Sequence, residues 1–465
     1  MRGQLRKIIE DKLQRGIIEP STSANSSTVL LVPKPNGSGV RFCIDYRALN
    51  KAIKNDAYAL PSVIENLAGL SGKRYFTSLD MKEAFWNVPL TNRSKELTAF
   101  RTPDGLYMYK RMPMGLKTAS AHFCRFIDAV LGDMKGDDVL TYLDDLLIPT
   151  DTFEKHLIIL DAVFARLDKA NITLGAKKCF LAKSEVNFLG HVVNEDGVEP
   201  DPKKTQAIEA LQLPQSAEQL RSTLGTMSYY RKFILNYSTV EEPLRRKLEN
   251  HNEKWRKDKD GKVQWTKEET DAFRKLQDAL KSKPILQHPD WTQPFEIHTD
   301  ASHKGLGALL CQRINGKEHV IYYASRAVSK AEASYSTWEL ECLAMVWATR
   351  LFRMYILGTK FKIYTDSYAA KCLLAANDAA AGGRLLRWRL ALQEFEFDTH
   401  HRKGAKNGNA DGLSRNFVQH CNSLFGSDDP VGLSIPLSVW SGSIEVALFL
   451  RITSFAGWSS LTSKS

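Results

Sequence analysis

VLTYLDDLLIPT, residues 139–150, sets two adjacent carboxylates, Asp144 and Asp145, inside an otherwise apolar stretch. Val139, Leu140 and Tyr142 precede the pair and Leu146, Leu147 and Ile148 follow it, so the pattern predicts a β-hairpin with the acids at its apex. An unpaired carboxylate in apolar surroundings is costly, so a cation is expected close by. An exposed Asp-Asp turn is the plainer explanation of the string taken alone. Asp80 changes the balance, because it too ends an apolar strand-like string, YFTSLD at 75–80. Three carboxylates from two strands suit a pair of divalent ions roughly 3.5–4 Å apart, the spacing that serves an attacking and a leaving oxygen in phosphoryl transfer.

A second acidic set lies further along. Asp300 ends PFEIHTD, Asp366 ends FKIYTD, Glu341 sits in the helical string STWELECLAMVWATRLF, and Asp411 falls in HHRKGAKNGNADGLSR. Singly each reads as a surface acid, but the repeated Thr-Asp strand ends argue for a second two-metal site, here for phosphodiester hydrolysis. Ser336 and Glu339 have capping-box spacing, which assigns Glu339 a structural task and leaves Glu341 for the metals.

Outward from these strings, the 465-residue chain has the composition of ordinary globular protein, 43% hydrophobic and 25% charged. Its length implies about two to four domains. Lys and Arg outnumber Asp and Glu by 64 to 53, a net +11 that suits a polyanionic partner, nucleic acid first. Seven cysteines without a C-x-x-C pair argue for a reducing compartment and against a disulfide scaffold or zinc ribbon. No apolar run reaches the roughly 18 residues of a bilayer span, and MRGQLRKIIEDKLQRG is an amphipathic charged helix rather than a signal peptide. Membrane and secreted readings are set aside in favour of an intracellular, cytoplasmic setting, with the nucleus also open.

Helical spacing is expected over 4–18 and 119–134, a hairpin across the PNGSG turn, and a strand running into a short helix over 75–90. The buried β character stops near 193, residues 194–291 are Lys- and Glu-rich with short helices, and strands return from 292. The Ser-rich stretch 417–465 lacks periodicity and is left unassigned, compatible with disorder.

YLDD between apolar strands resembles the Tyr-x-Asp-Asp motif of reverse transcriptases. Residues 11–416 as a whole resemble the polymerase-to-ribonuclease-H part of a gypsy-class long-terminal-repeat retrotransposon polyprotein. GIIEPSTSANSSTVLLVPKPNGSGVRFCIDYRALN is similar to that family's opening fingers segment, SLDMKEAFWNVPL to its first palm motif and RMPMGLKTASAHFCRFID to its second. YLDDLLI corresponds to the third, and FLGHVV at 188–193 is similar to the primer-grip hairpin. The five occur in the family's order.

The resemblance implies an α+β multidomain chain: a right-hand polymerase with fingers and palm over 1–193 and thumb/connection over 194–291, then an α/β ribonuclease H-like domain over 292–416. It implies an RNA-directed DNA polymerase with ribonuclease H activity, taking an RNA template, a DNA primer, dNTPs and RNA–DNA hybrids, alongside other polyprotein products. Two Mg2+ ions per site are expected, with Mn2+ an acceptable replacement. Asp80, Asp144 and Asp145 would be ligands in one site and Asp300, Glu341, Asp366 and Asp411 in the other.

Nucleotide-binding roles follow by position. Phe85 would sit under the incoming sugar and exclude a 2′-hydroxyl, while Lys34 and Arg41 would hold triphosphate oxygens. Tyr142, Met114 and Gly115 would line the pocket, Gly115 allowing close backbone approach and Met114 standing where the family usually has Gln or Phe. Lys177 or Lys178 would be the proton source for pyrophosphate, and His401 would match a histidine that aids product release. Each of these also has an ordinary reading as core packing or solvated surface. LRSTLGTMSYYRKFILNYS at 220–238 is similar to the thumb and connection, where Tyr229, Tyr230, Arg231, Lys232 and Phe233 would track duplex phosphates.

The rival reading is an inactive nucleic-acid-binding remnant of a mobile element, and a third is a ribonuclease with a vestigial polymerase half. The presence of all seven acids weighs against both. No Asp-Thr/Ser-Gly protease signature, CCHC knuckle or integrase-type paired His and Cys set is present in the sequence.

Overall fold

In the computed structural model the structure describes residues 2–33, 39–249, 255, 263–282, 284–365 and 383–401. Lys34, Asp366, Asp411, the side chain of His401 and the 417–465 stretch lie outside the described residues. The chain divides into two compact units between Leu189 and Gly190.

The first unit opens with the helix Arg2–Gln14. It ends earlier than the apolar spacing to residue 18 implies. Gly16 adopts φ +63, a left-handed conformation that suits glycine and breaks the helix, and Ile18–Pro20 leaves as a strand paired with Gly105–Tyr109. That strand is the edge of a five-stranded sheet ordered Ile18–Pro20, Gly105–Tyr109, Phe100–Thr102, Ser27–Pro33, Val40–Asp45.

A four-stranded sheet carries the acidic hairpin, in the order Leu140–Tyr142, Asp145–Thr150, Tyr75–Asp80, Phe180–Lys183. Leu146 and Ile148, alternating along their strand, enter a core with Leu79, Phe123, Ile127, Val163 and Leu167. Phe123 and Ile127 come from the helix Ala119–Leu131 and Val163 and Leu167 from Phe153–Lys169, each on an i, i+4 stripe. Leu147, which points to the opposite face, is also fully buried, so the apolar run on this strand is not interrupted by a polar position.

Three polar residues, Thr77, Thr150 and His156, are fully buried together here. His156 is fully buried, with Nε2 2.7 Å from Thr77 Oγ1 and Nδ1 2.8 Å from Thr150 Oγ1. Thr150 donates to the Thr152 carbonyl at 3.2 Å, so it accepts from Nδ1–H. Thr77 accepts the Ala182 N–H at 2.9 Å and turns its own proton to Nε2. The neutral imidazole is therefore satisfied at both nitrogens and ties two strands of the sheet to the helix behind them.

In the second unit the hairpin His191–Val193/Val198–Pro200 leads into the helices Pro202–Glu209, Ala217–Tyr229, Tyr237–Glu249 and Lys267–Lys281. A five-stranded sheet follows, ordered Lys317–Ala327, Gly305–Ile314, Phe295–Ala301, Lys360–Thr365, Glu396–His401. The first three strands are antiparallel and the last three parallel, with the helix Thr337–Leu351 between the two halves in sequence. Among the described residues no helix is long and apolar enough to cross a membrane.

Burial holds the His156 pKa down at about 4, against an ordinary 6.5. A depressed folded-state pKa contributes stability that is complete above 6.5 and is lost as pH falls from 6.5 through 4, about 3 kcal/mol in all. Urea unfolding of the parent and of His156→Gln should therefore show the variant less stable at pH 7 and the gap closing by pH 4. A constant gap would exclude this role for the imidazole.

Candidate active sites

The Asp80 strand and the Asp145 strand pair antiparallel so that Asp80 lies directly opposite Asp145. Two residues, Leu143 and Asp144, connect Tyr142 to Asp145, and Tyr142 is in turn paired with Asp145 across the hairpin. Leu143 adopts φ +52, an uncommon conformation for a branched side chain that makes the tight reversal. The Met81 N–H reaches the Asp144 carbonyl at 3.2 Å, which ties the turn back to the neighbouring strand. Asp80, Asp144 and Asp145 are thus brought together at one end of the sheet.

Asp144 is exposed, Asp145 half-buried. Burial pushes the Asp145 carboxyl up to about 6, and the Asp144 and Asp80 carboxylates add to the effect. Lys178 opposes it. Its Nζ lies 3.1 and 3.2 Å from the two Asp80 oxygens, and that contact raises the lysine's own pKa. An oxygen-only donor set of three carboxylates fits a hard divalent cation.

Gly175 completes the cradle. Its N–H donates to the Asp80 carbonyl at 2.8 Å, and a Cβ here would stand 3.1 Å from Asp80 Oδ2. The strand-end acid therefore has backbone packed against it where a side chain would intrude.

Around this point the residues expected to bind nucleotide are distributed as follows. Phe85 is half-buried in the 3-10 segment Ala84–Asn87, edge-on to Phe123 with ring centres 5.4 Å apart. Met114 is 62% exposed. Gly115 adopts φ +94, and its carbonyl accepts from Asn50 Nδ2 at 2.9 Å while Asn50 Oδ1 accepts the Lys117 N–H at 2.8 Å. Asn50, which carries no recognisable signal in the sequence, thus holds the Met114–Gly115 loop. Arg41 is exposed on the Val40–Asp45 strand, opposite Val32.

In the second unit Asp300 is exposed near the end of its strand, paired with Gly307. Glu341, only 2% exposed, accepts the Ala301 N–H at 3.2 Å through Oε1 and the Thr365 hydroxyl at 3.4 Å through Oε2. It therefore bridges the residue after Asp300 and the residue before Asp366. The parallel register places the backbone of His401 beside Thr365. Glu339 turns away from this group: it accepts the Ser336 N–H at 2.9 Å and pairs with Arg384.

Elsewhere in this sheet Glu296, His298 and Cys311 bring ligand-type atoms within 4.8 Å of one another. Glu296 is already neutralised by Arg313 at 3.5 Å and Lys362 at 4.0 Å, so this trio does not concentrate negative charge as the Asp80 group does.

The family described as reverse transcriptase (RNA-dependent DNA polymerase) matches residues 32–193, and the RNase H-like domain found in reverse transcriptase matches 265–363. The chain thus carries a reverse transcriptase domain followed by a ribonuclease H-like domain of the kind found in reverse transcriptase. The relatives it matches are Pol polyproteins of long-terminal-repeat retrotransposons.

It is 39% identical over 412 residues to the retrovirus-related Pol polyprotein from transposon 297 of Drosophila melanogaster, covering 88% of this chain and 38% of the relative. To the corresponding polyprotein from transposon opus it is 36% identical, covering 89% and 42%. The Tf2-3 polyprotein of Schizosaccharomyces pombe is 34% identical, covering 88% and 30%. The chain thus spans about two-fifths or less of the length of these curated relatives. The solved foamy viral protease-reverse transcriptase in complex with RNA/DNA hybrid superposes with a TM-score of 0.74 at 25% identity, covering 87% of this chain and 54% of that one. Domains of both kinds depend on divalent metal ions.

Gly175→Ala should displace the Asp80 carboxylate by a few tenths of an ångström. Primer extension is expected to fall about tenfold, on the scale by which small misplacements slow catalysis. Hybrid cleavage and the thermal midpoint should be unchanged, and a variant with parental extension would show that the close approach is immaterial.

Proposed function

We propose that the first unit copies RNA into DNA at the Asp80–Asp144–Asp145 group and that the second cleaves the RNA strand of RNA–DNA hybrids at Asp300, Glu341, Asp366 and Asp411. The observation that carries the reading is the register that sets Asp80 opposite Asp145 at the hairpin turn. The substrates in this reading are an RNA template, a DNA primer, dNTPs and the hybrid product. The foamy viral relative, solved with an RNA/DNA hybrid, supports that assignment. Fingers and palm would occupy 1–193, thumb and connection 194–291, and the ribonuclease H-like domain 292–416.

Mg2+ held by these two sets of acids would supply positive charge at the attacking and leaving oxygens of phosphoryl transfer. The protein's own part is positional. The paired strand ends fix the carboxylates before substrate arrives, which removes reorganisation from the reaction. Arg41 and Lys34 offer cationic donors for triphosphate oxygens, the Arg through its planar fork. Tyr142, Met114 and Gly115 line the nucleotide pocket, and Asn50 keeps the Gly115 loop in place. Phe85 excludes the 2′-hydroxyl. Lys178 Nζ carries a proton for the departing pyrophosphate. In the second site Glu341, locked between Ala301 and Thr365, keeps its two strand-end neighbours in register.

Primer extension on an RNA template and cleavage of a labelled RNA–DNA hybrid test the division of labour. Asp144→Asn should reduce extension by about 10²–10³-fold, the scale of removing one preorganised charge, and leave cleavage unchanged. Glu341→Gln should do the reverse. Parental activity in both assays for both variants would overturn the assignment.

A further inference from the structure

Lys12, on the opening helix, is 5% exposed. Its Nζ lies 3.7 Å from the centre of the Trp86 ring, 5.5 Å from Phe42 and 5.8 Å from Tyr109. Among the described residues no carboxylate lies within ion-pair distance of this ammonium. Three aromatic faces take the place of its water. One turn on, the Arg15 guanidinium lies 5.3 Å from the same Trp86 ring and pairs with Glu83.

Glu83 and Trp86 flank the turn that follows Asp80. Glu83 adopts φ +52, and its carbonyl accepts the Trp86 N–H at 2.8 Å. Phe85 and Trp86 are successive but enter different cores. Phe85 packs with Phe123 behind the acidic sheet, and Trp86 packs with Leu13, Phe42 and Tyr109 beneath the five-stranded sheet. The segment Glu83–Asn87 is therefore a bridge between two cores, held by a ring-bound ammonium from the opening helix and by an ion pair from the turn that follows it.

We propose that Lys12 and Arg15 are positioning residues for Phe85 and thereby set how strictly the polymerase site rejects a 2′-hydroxyl. The proposal rests on the polymerase reading and on Phe85 as the sugar-facing residue. A hydrophobic residue in place of Lys12 would satisfy packing, so the charge itself needs a reason. Fixing the Trp86 plane through an electrostatic contact to the ring face supplies one, since that contact depends on orientation where a methylene contact does not.

Burial pushes the Lys12 ammonium down to about 8, with Arg15 lowering it further and Glu83 and Asp11 opposing. Tyr109, on the strand Gly105–Tyr109, also faces it and has its hydroxyl pushed up by burial. As pH rises through 8 the ammonium is lost, and the grip on Trp86 weakens.

The test is single-nucleotide incorporation on a primed RNA template, read as the ratio of kcat/KM for a dNTP to that for the matching rNTP. The ratio cancels the pH dependence of the bond-forming step, which both nucleotides share. Lys12→Met should retain the thermal midpoint and lose about tenfold in the ratio, the effect of a sub-ångström shift in a reacting geometry. Lys12→Arg should restore most of it, and Arg15→Gln, at an exposed position, should lose several-fold. The parent ratio should fall between pH 7 and 9, while that of Lys12→Met stays flat.

Phe85→Val serves as the benchmark. If it loses discrimination while Lys12→Met and Arg15→Gln keep the parental ratio, the positioning proposal is overturned and the polymerase reading stands. If Phe85→Val itself keeps the ratio, Phe85 does not face the sugar and the proposal fails with it. Should Lys12→Met not fold, Arg15→Gln and the parent's pH profile decide the question alone, and an unchanged ratio in both rejects it.

Discussion

Carboxylates crowded at the end of a half-buried strand repel one another, and the local structure of the first unit answers that repulsion. Asp145 cannot leave its strand, because Leu146, Leu147 and Ile148 behind it are fully buried. Asp80 is fixed in the same way by Leu79 and Met81. The backbone thus commits the acids to proximity, and burial together with the neighbouring carboxylates raises the pKa of Asp145. Lys178 reduces the excess charge without burying itself, since its long side chain reaches Asp80 from solvent. A movable cation is compatible with a site that later takes a divalent one, whereas a buried arginine would fill the space permanently.

The second unit reaches a similar end by another route. Its buried acid is on a helix, so strand register cannot hold it. Glu341 is held instead by a backbone N–H from one strand and a hydroxyl from the next, one to each carboxylate oxygen. These bonds fix the carboxylate's rotamer. The capping interaction of Glu339 sets the helix start, which determines where Glu341 points two residues later.

Much of this was legible in the sequence for a definite reason. An acid that closes an apolar alternating string has few structural tasks, so Asp80, Asp144, Asp145 and Asp300 stand out from surface carboxylates. The hairpin at 139–150 and the capping box at Ser336 are likewise local patterns. What pairs with the acids is not local. Lys178 and Asp80 are 98 residues apart, and Asn50 is 65 from the carbonyl it holds. Gly175 gives no sign of its role, because a glycine after a helix is ordinarily a stop signal. The opening helix shows the same limit from the other side. Its buried stripe is Leu5, Ile9 and Lys12, and a periodicity count assigns the lysine to solvent.

Lys247 shows why Lys12 calls for a functional account. Lys247 is 2% exposed and also lies over a ring, 4.7 Å from the centre of Trp265. Its Nζ, however, donates to Glu269 Oε2 at 2.9 Å and to the Gln264 carbonyl at 2.8 Å, and so pins the helix Tyr237–Glu249 to Lys267–Lys281. Removing Lys247 would strand a buried carboxylate, and stability alone is reason enough to keep it. Removing the charge of Lys12 strands nothing and relieves a desolvated cation. A residue that stability does not require, lodged against the segment between a strand-end acid and the aromatic beside it, is better explained by what it holds still than by what it holds together.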